Sequence, residues 1–147
     1  MPTRILIVDD EKDMLVLLGR IFSDRAQYQV TTVDDSREVA AILDKHDFDV
    51  VVTDLKMPHL DGIQVMDLVK ERKNSTAVIV MTAYGSIQSA IEATRRGAFD
   101  YITKPFRKER ILHVVEKADQ WHKLQQENLY LREKLEGMNT KPIEYWE

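Results

Sequence analysis

The sequence predicts an α/β domain, a doubly wound five-stranded parallel sheet that carries an extended C-terminal helix. Three observations lead there. Short β-branched runs recur at RILIV (4–8), YQVTTV (28–33), VVVT (50–53), AVIVM (77–81) and YIT (101–103). Amphipathic stretches long enough for helices separate them. The runs at 4–8, 50–53 and 77–81 are apolar on both faces, as strands covered on two sides must be. Strands alternating with helices at this spacing give the order βαβαβαβαβα with right-handed crossovers.

Local signals place the helices. Asp35 followed by Glu38 has the spacing of a capping box ahead of Val39, Ala40, Ile42 and Leu43. Gly97 stands where the helix through Ile87, Ala90, Ile91 and Thr94 should stop. Lys104-Pro105 ends the fifth strand, with Pro105 near the next helix start. From Lys108 to Glu136 there is neither Pro nor Gly, so this helix would be about 43 Å long at ~1.5 Å per residue. Ile111, Leu112, Val115 and Ala118 form its face toward the sheet, and everything beyond about Asp119 is expected to project. The chain accordingly divides into a body at 1–119, a linker helix at 120–138 and a tail at 139–147, broken by Pro142.

Composition narrows the function classes. In 147 residues, 44% are apolar, enough for a real core. The net charge is −4 with both signs interspersed, which argues against nucleic-acid binding through a basic surface. The absence of Cys excludes a disulfide framework, a thiolate metal site and a Cys nucleophile. The apolar run Ile5 to Val8 is too short for a signal peptide or a membrane span, so a cytoplasmic location is expected.

In an open parallel sheet the loops at the carboxyl ends of the strands converge on one edge, where sites form. After the first strand come Asp9, Asp10 and Glu11; Asp54 follows the third, Thr82 the fourth and Lys104 the fifth. Crowded carboxylates repel and raise one another's pKa unless a cation intervenes. The ligands on offer are hard oxygens, which suit Mg²⁺. A carboxylate beside Mg²⁺ can attack phosphorus, and Mg²⁺, the Lys104 ammonium and the Thr82 hydroxyl can meet the charge that spreads over the phosphoryl oxygens. Any one of these residues alone reads as a cap or a solvated lysine. The conjunction reads as phosphoryl transfer to Asp54.

The segments ILIVDDE, VVTDLKMPHLDG, VIVMTAYG and FDYITKPF resemble the signature segments of bacterial response-regulator receiver domains, from about Arg4 to Asp119. The resemblance implies a flavodoxin-like sheet of order 2-1-3-4-5 with Asp54 as phosphoacceptor and a sensor histidine kinase as partner. It further implies that Asp10, Asp54 and the backbone carbonyl of Lys56 bind Mg²⁺, Asp9 through a metal water. Thr82 and Lys104 would contact the phosphoryl group, and Tyr101 would be the aromatic switch residue. Tyr84, two residues after Thr82, is expected to shield the acyl phosphate from water. The wording TAYGSIQSAIEATRRGAFDYITKPF resembles the nitrogen-regulation subgroup of transcription activators, whose receiver is joined to an ATPase and a DNA-binding domain. No G-x-x-x-x-G-K-[ST] loop occurs in this chain, so that ATPase would belong to a longer parent.

From Trp121 a heptad can be written with Trp121, Asn128 and Leu135 at a and Leu124, Leu131 and Met138 at d. Glu127 at g would face Arg132 at e of a parallel partner, and Asn128 would fix the register of a homodimer. Leu129 falls off this seam, and the alternative is a linker helix that frays in isolation. Two other functions compete. One is a stand-alone receiver that docks a partner through its fourth helix and fifth strand. The other is an aspartate-dependent phosphatase, which by family resemblance carries its nucleophile after the first strand. A dinucleotide site is removed because no G-x-G-x-x-G follows the first strand.

Overall fold

The computed structural model describes residues 2–83 and 87–139. Among them five strands alternate with five α-helices: β1 (Thr3–Val8), α1 (Lys12–Ser23), β2 (Tyr28–Val33), α2 (Val39–Lys45), β3 (Val50–Asp54), α3 (Gly62–Arg72), β4 (Ala77–Ala83), α4 (Ile87–Arg95), β5 (Asp100–Lys104) and α5 (Lys108–Asn139). The strands form one parallel sheet of order β2-β1-β3-β4-β5. The flavodoxin-like topology is therefore the one expected.

Successive residues of each central strand point to opposite faces, so one run supplies two cores. Ile5, Ile7, Val50, Val52, Ile79 and Met81 pack with Leu18 and Phe22 of α1 and Ile111, Val115 and Ala118 of α5. Leu6, Val8, Val51, Val78 and Val80 pack with Val39 of α2, Val65, Met66 and Val69 of α3 and Ala93 of α4. Burial on both faces is why β1, β3 and β4 are continuous apolar runs, whereas β2 and β5 lie at the edges and alternate with exposed residues.

Two helix signals come out differently. Gly97, at φ 113°, ends α4 as expected: its N–H donates to Thr94 O, and that of Ala98 to Ala93 O, which is a Schellman closure. The box expected at Asp35 and Glu38 does not form. Asp35 instead caps a single 3₁₀ turn (Ser36–Glu38), accepting from the Arg37 N–H at 2.9 Å. The Arg37 guanidinium also binds that carboxylate and holds its pKa down to about 2. The complete box is at the start of α3, where Asp61 accepts from Gln64 N–H and Gln64 Oε1 accepts from Asp61 N–H, both at 2.9 Å.

The last helix is one continuous element, but it does not leave the body at Asp119. Trp121 packs on Phe99 with ring centroids 5.9 Å apart, and the Lys70 ammonium sits 5.3 Å from its ring. His122 is buried, and Gln126 donates to Ser75 Oγ at 2.8 Å. Only beyond this point do Leu129, Tyr130, Leu131 and Leu135 stand exposed, with Leu124 on the opposite side already open. The body thus reaches about two turns further than the apolar pattern indicates, because polar side chains make the last contacts. Trp121 is committed to its own body on one side. Met138 and the tail at 140–147 lie outside the described side chains.

Candidate functional site

Four of the five strands, β1, β3, β4 and β5, carry an expected site residue to the same edge. Asp9 follows β1 directly, Asp54 and Lys104 are the last residues of β3 and β5, and Thr82 is the last but one of β4. Asp54, Thr82 and Lys104 are within strands rather than after them, since backbone pairing continues through Asp54↔Met81, Thr82↔Thr103 and Ala83↔Lys104. Hydrogen bonding of the ladder does not require an apolar side chain, so the apolar runs understated the strand ends.

Asp9 is fully buried. Its Oδ1 accepts from the Glu11 N–H at 2.9 Å, and its Oδ2 accepts from the Lys104 ammonium at 3.0 Å. Asp54 is 8% exposed; its Oδ1 accepts from the Leu55 N–H at 2.9 Å and lies 3.4 Å from Lys104 Nζ. Asp10 is exposed, yet it offers a carboxylate oxygen within 4.8 Å of those of Asp9 and Asp54. Two carboxylates thus meet one ammonium, and a third lies close to both.

The electrostatics follow from that imbalance. Burial pushes the Asp54 carboxyl pKa up; Lys104 opposes the rise and the Asp9 charge adds to it. Burial pulls Lys104 down, but its bonds to Asp9 and the charge of Asp54 outweigh this and leave its pKa raised. The ammonium is therefore held charged and a net negative charge remains at the mouth. Hard oxygen donors, an excess of anion and a carboxyl whose ionised form is penalised fit a hard divalent cation.

The remaining expected residues take different positions. Thr82 is buried. Lys56 is exposed in the bend two residues after Asp54. Tyr101 lies opposite Val80 on the edge strand and is 36% exposed. Tyr84 lies outside the described residues. Two residues escaped the sequence reading. A Cβ on Gly62 would lie 2.6 Å from the Asp54 carbonyl oxygen and 2.9 Å from Leu55 Cα, so only glycine lets α3 begin against the backbone of Asp54 and Leu55. Its signal was the DG pair in PHLDG. Ser36 Oγ donates to Pro58 O at 2.9 Å and accepts from the Leu60 N–H at 3.0 Å, tying down the loop after β3. A lone serine in a turn gives no signal for that.

The model of the family described as response regulator receiver domain matches residues 5–116. The chain belongs to that family. This receiver is 33% identical over 117 residues to the transcriptional regulatory protein GlrR of Escherichia coli, covering 80% of this chain and 26% of that protein. It is also 33% identical over 123 residues to the DNA-binding transcriptional regulator NtrC of Salmonella typhimurium, covering 84% of the chain and 26% of the relative. Among solved structures, NtrX from Brucella abortus in complex with ADP superposes with a TM-score of 0.83 at 33% identity, covering 89% of this chain and 30% of that one. The nitrogen-regulation resemblance thus extends to NtrC and NtrX relatives, of which this chain spans between a quarter and a third.

Proposed function

We propose that this receiver takes a phosphoryl group on Asp54 from a sensor histidine kinase, with Mg²⁺ as cofactor, and thereby sets the state of output domains in a longer parent protein. The clustering of the Asp9, Asp10 and Asp54 carboxylates, with the Lys104 ammonium between Asp9 and Asp54, carries this reading. Among the described residues the contacts to the Asp54 carboxylate are made to Oδ1, so Oδ2 is the oxygen left to form the new P–O bond as the donor's P–N bond breaks. Asp9, Asp10, Asp54 and the Lys56 carbonyl would hold the ion. Bound Mg²⁺ would neutralise charge on the phosphoryl oxygens. Lys104, already placed between Asp9 and Asp54, meets one of those oxygens, and the Thr82 hydroxyl meets another. Movement of Thr82 toward that oxygen vacates space for the Tyr101 ring, which couples the site to the surface of α4 and β5.

By this reading the chain is a regulatory element and not an enzyme with a turnover substrate, and it works in the cytoplasm; no described helix is long and apolar enough to cross a membrane. The output would be the ATPase and DNA-binding domains of a transcription activator. The continuation of α5 to Asn139 favours this over a stand-alone receiver, because it leads away from the body. Leu124, Leu131 and Leu135 are 45–58% exposed and, with Asn128, would form the seam of a parallel homodimer, with Trp121 at its root. Association costs several kcal/mol, so this short seam pairs moderately. Light scattering should show a dimer for the whole chain and a smaller species after truncation at Gln126.

Intact-mass measurement with a small phosphodonor tests the acceptor. One phosphoryl group should be added to the wild type with Mg²⁺, and none after chelation or in Asp54→Asn. An adduct that survives in Asp54→Asn would refute the assignment.

A further inference from the structure

At the opposite edge of the sheet, His122 of α5 lies in contact with two acceptors. Its Nδ1 is 2.8 Å from the Ser75 carbonyl oxygen, and its Nε2 is 2.9 Å from Asp49 Oδ1. Neither acceptor can be exchanged for a donor. A backbone carbonyl only accepts, and so does the Asp49 carboxylate, whose ionised form is favoured by His122 and by the Arg4 N–H, which donates to its Oδ2 at 2.9 Å. A neutral imidazole has one N–H, so one ring nitrogen would aim a lone pair at an oxygen lone pair inside a buried contact. Only the doubly protonated ring satisfies both partners.

We propose that His122 is a proton-operated fastening that holds the linker helix to the amino edge of the receiver sheet. Its two acceptors precede β3 and β4, so one side chain on α5 binds the starts of both strands at once. Gln126, one turn further, adds a bond to Ser75 Oγ at 2.8 Å, and Trp121 rests on Phe99 beside Lys70. Of the groups around the imidazole, Asp49 is the anion in contact, while Lys73 at the end of α3 opposes its charge from further away. Ser75 and Gln126 are neutral, β1 acts only through the Arg4 amide, and Asp119 on α5 is engaged by Thr3 and Lys123. Burial alone would pull the imidazole pKa down, but the bonds to Asp49 and Ser75 outweigh it and leave the pKa raised. A group whose folded pKa is raised contributes its stability fully below the ordinary histidine value, ~6.5, and loses it as pH climbs through the raised value. The segment from Trp121 to Gln126 is therefore docked most firmly below the ordinary histidine range and loosens as pH rises through the raised value, whatever the state of Asp54.

The test uses the full chain without phosphodonor, so its failure would leave the acceptor assignment intact. ¹⁵N NMR should show His122, assigned against His122→Gln, keeping protons on both ring nitrogens to a pH above the ordinary histidine range. Amide protection of residues 121–126, corrected for intrinsic exchange, should then fall by up to about tenfold per pH unit as that proton leaves. In His122→Gln the corrected protection should be flat with pH. A His122 that titrates at or below its ordinary value would overturn the proposal, as would identical pH profiles in the two proteins.

Discussion

At the carboxyl edge of the sheet, Asp9 and Asp54 share the Lys104 ammonium and Asp10 brings a third carboxylate close to theirs, whereas at the amino edge Asp49 is paired with the His122 imidazole. The same residue type consequently behaves in opposite ways. Burial and Asp9 raise the Asp54 pKa against the pull of Lys104. At Asp49 burial also acts upward, but the bonds from His122 and the Arg4 N–H outweigh it and the pKa is lowered. In the function proposed above, the unmatched edge takes a cation and then a phosphoryl group, while the matched edge holds α5 to the body.

The largest effect should come from crowding the unmatched edge. Gly62→Ala places a methyl against main-chain atoms of Asp54 and Leu55, which cannot give way as a flexible side chain would. A loss of about 3 kcal/mol is expected in denaturant unfolding, with a matching fall in phosphoryl acceptance; unchanged stability would mean that the loop relaxes freely.

Carboxylate-to-amide changes at the two edges should have opposite signs. Asp49→Asn removes the charge that His122 and Arg4 satisfy and should cost about 2 kcal/mol at neutral pH. Its lowered pKa means that this stability is present above the ordinary carboxylate range and is lost as pH falls through the depressed value. Asp54→Asn should instead stabilise the metal-free chain slightly. The raised pKa of Asp54 means that the wild type loses stability as pH rises through that value, and the amide does not. Destabilisation by both substitutions would break the comparison.

Mg²⁺ sharpens the contrast. At tenfold its dissociation constant it should add about 1.4 kcal/mol to the wild type, read as an upward shift in Tm. Asp54→Asn should lose most of that gain and Asp49→Asn should keep it.

How legible these edges were in the sequence differs for a physical reason. The carboxyl edge was readable because each of its residues sits at the end of a β-branched run, and topology brings such ends together. Asp9, Asp54 and Lys104 needed no knowledge of side-chain packing. The amino edge was not readable. His122 and Gln126 look like solvated positions on a helix, and the residues they meet, Asp49 and Ser75, sit in loops with no periodicity. Apolar spacing therefore ended the body at Asp119 when polar contacts carry it to Gln126. The capping box failed similarly: Asp35 had the right spacing, but Arg37 is nearer and charged.

The central claim is that the excess of acid at the carboxyl edge serves Asp54 as the phosphoacceptor. Its most direct test is to phosphorylate the full chain in Mg²⁺, reduce any acyl phosphate with borohydride and map the resulting homoserine by peptide mass. The predicted result is homoserine at position 54 alone. Homoserine at position 9 or 10, or none anywhere, would contradict it.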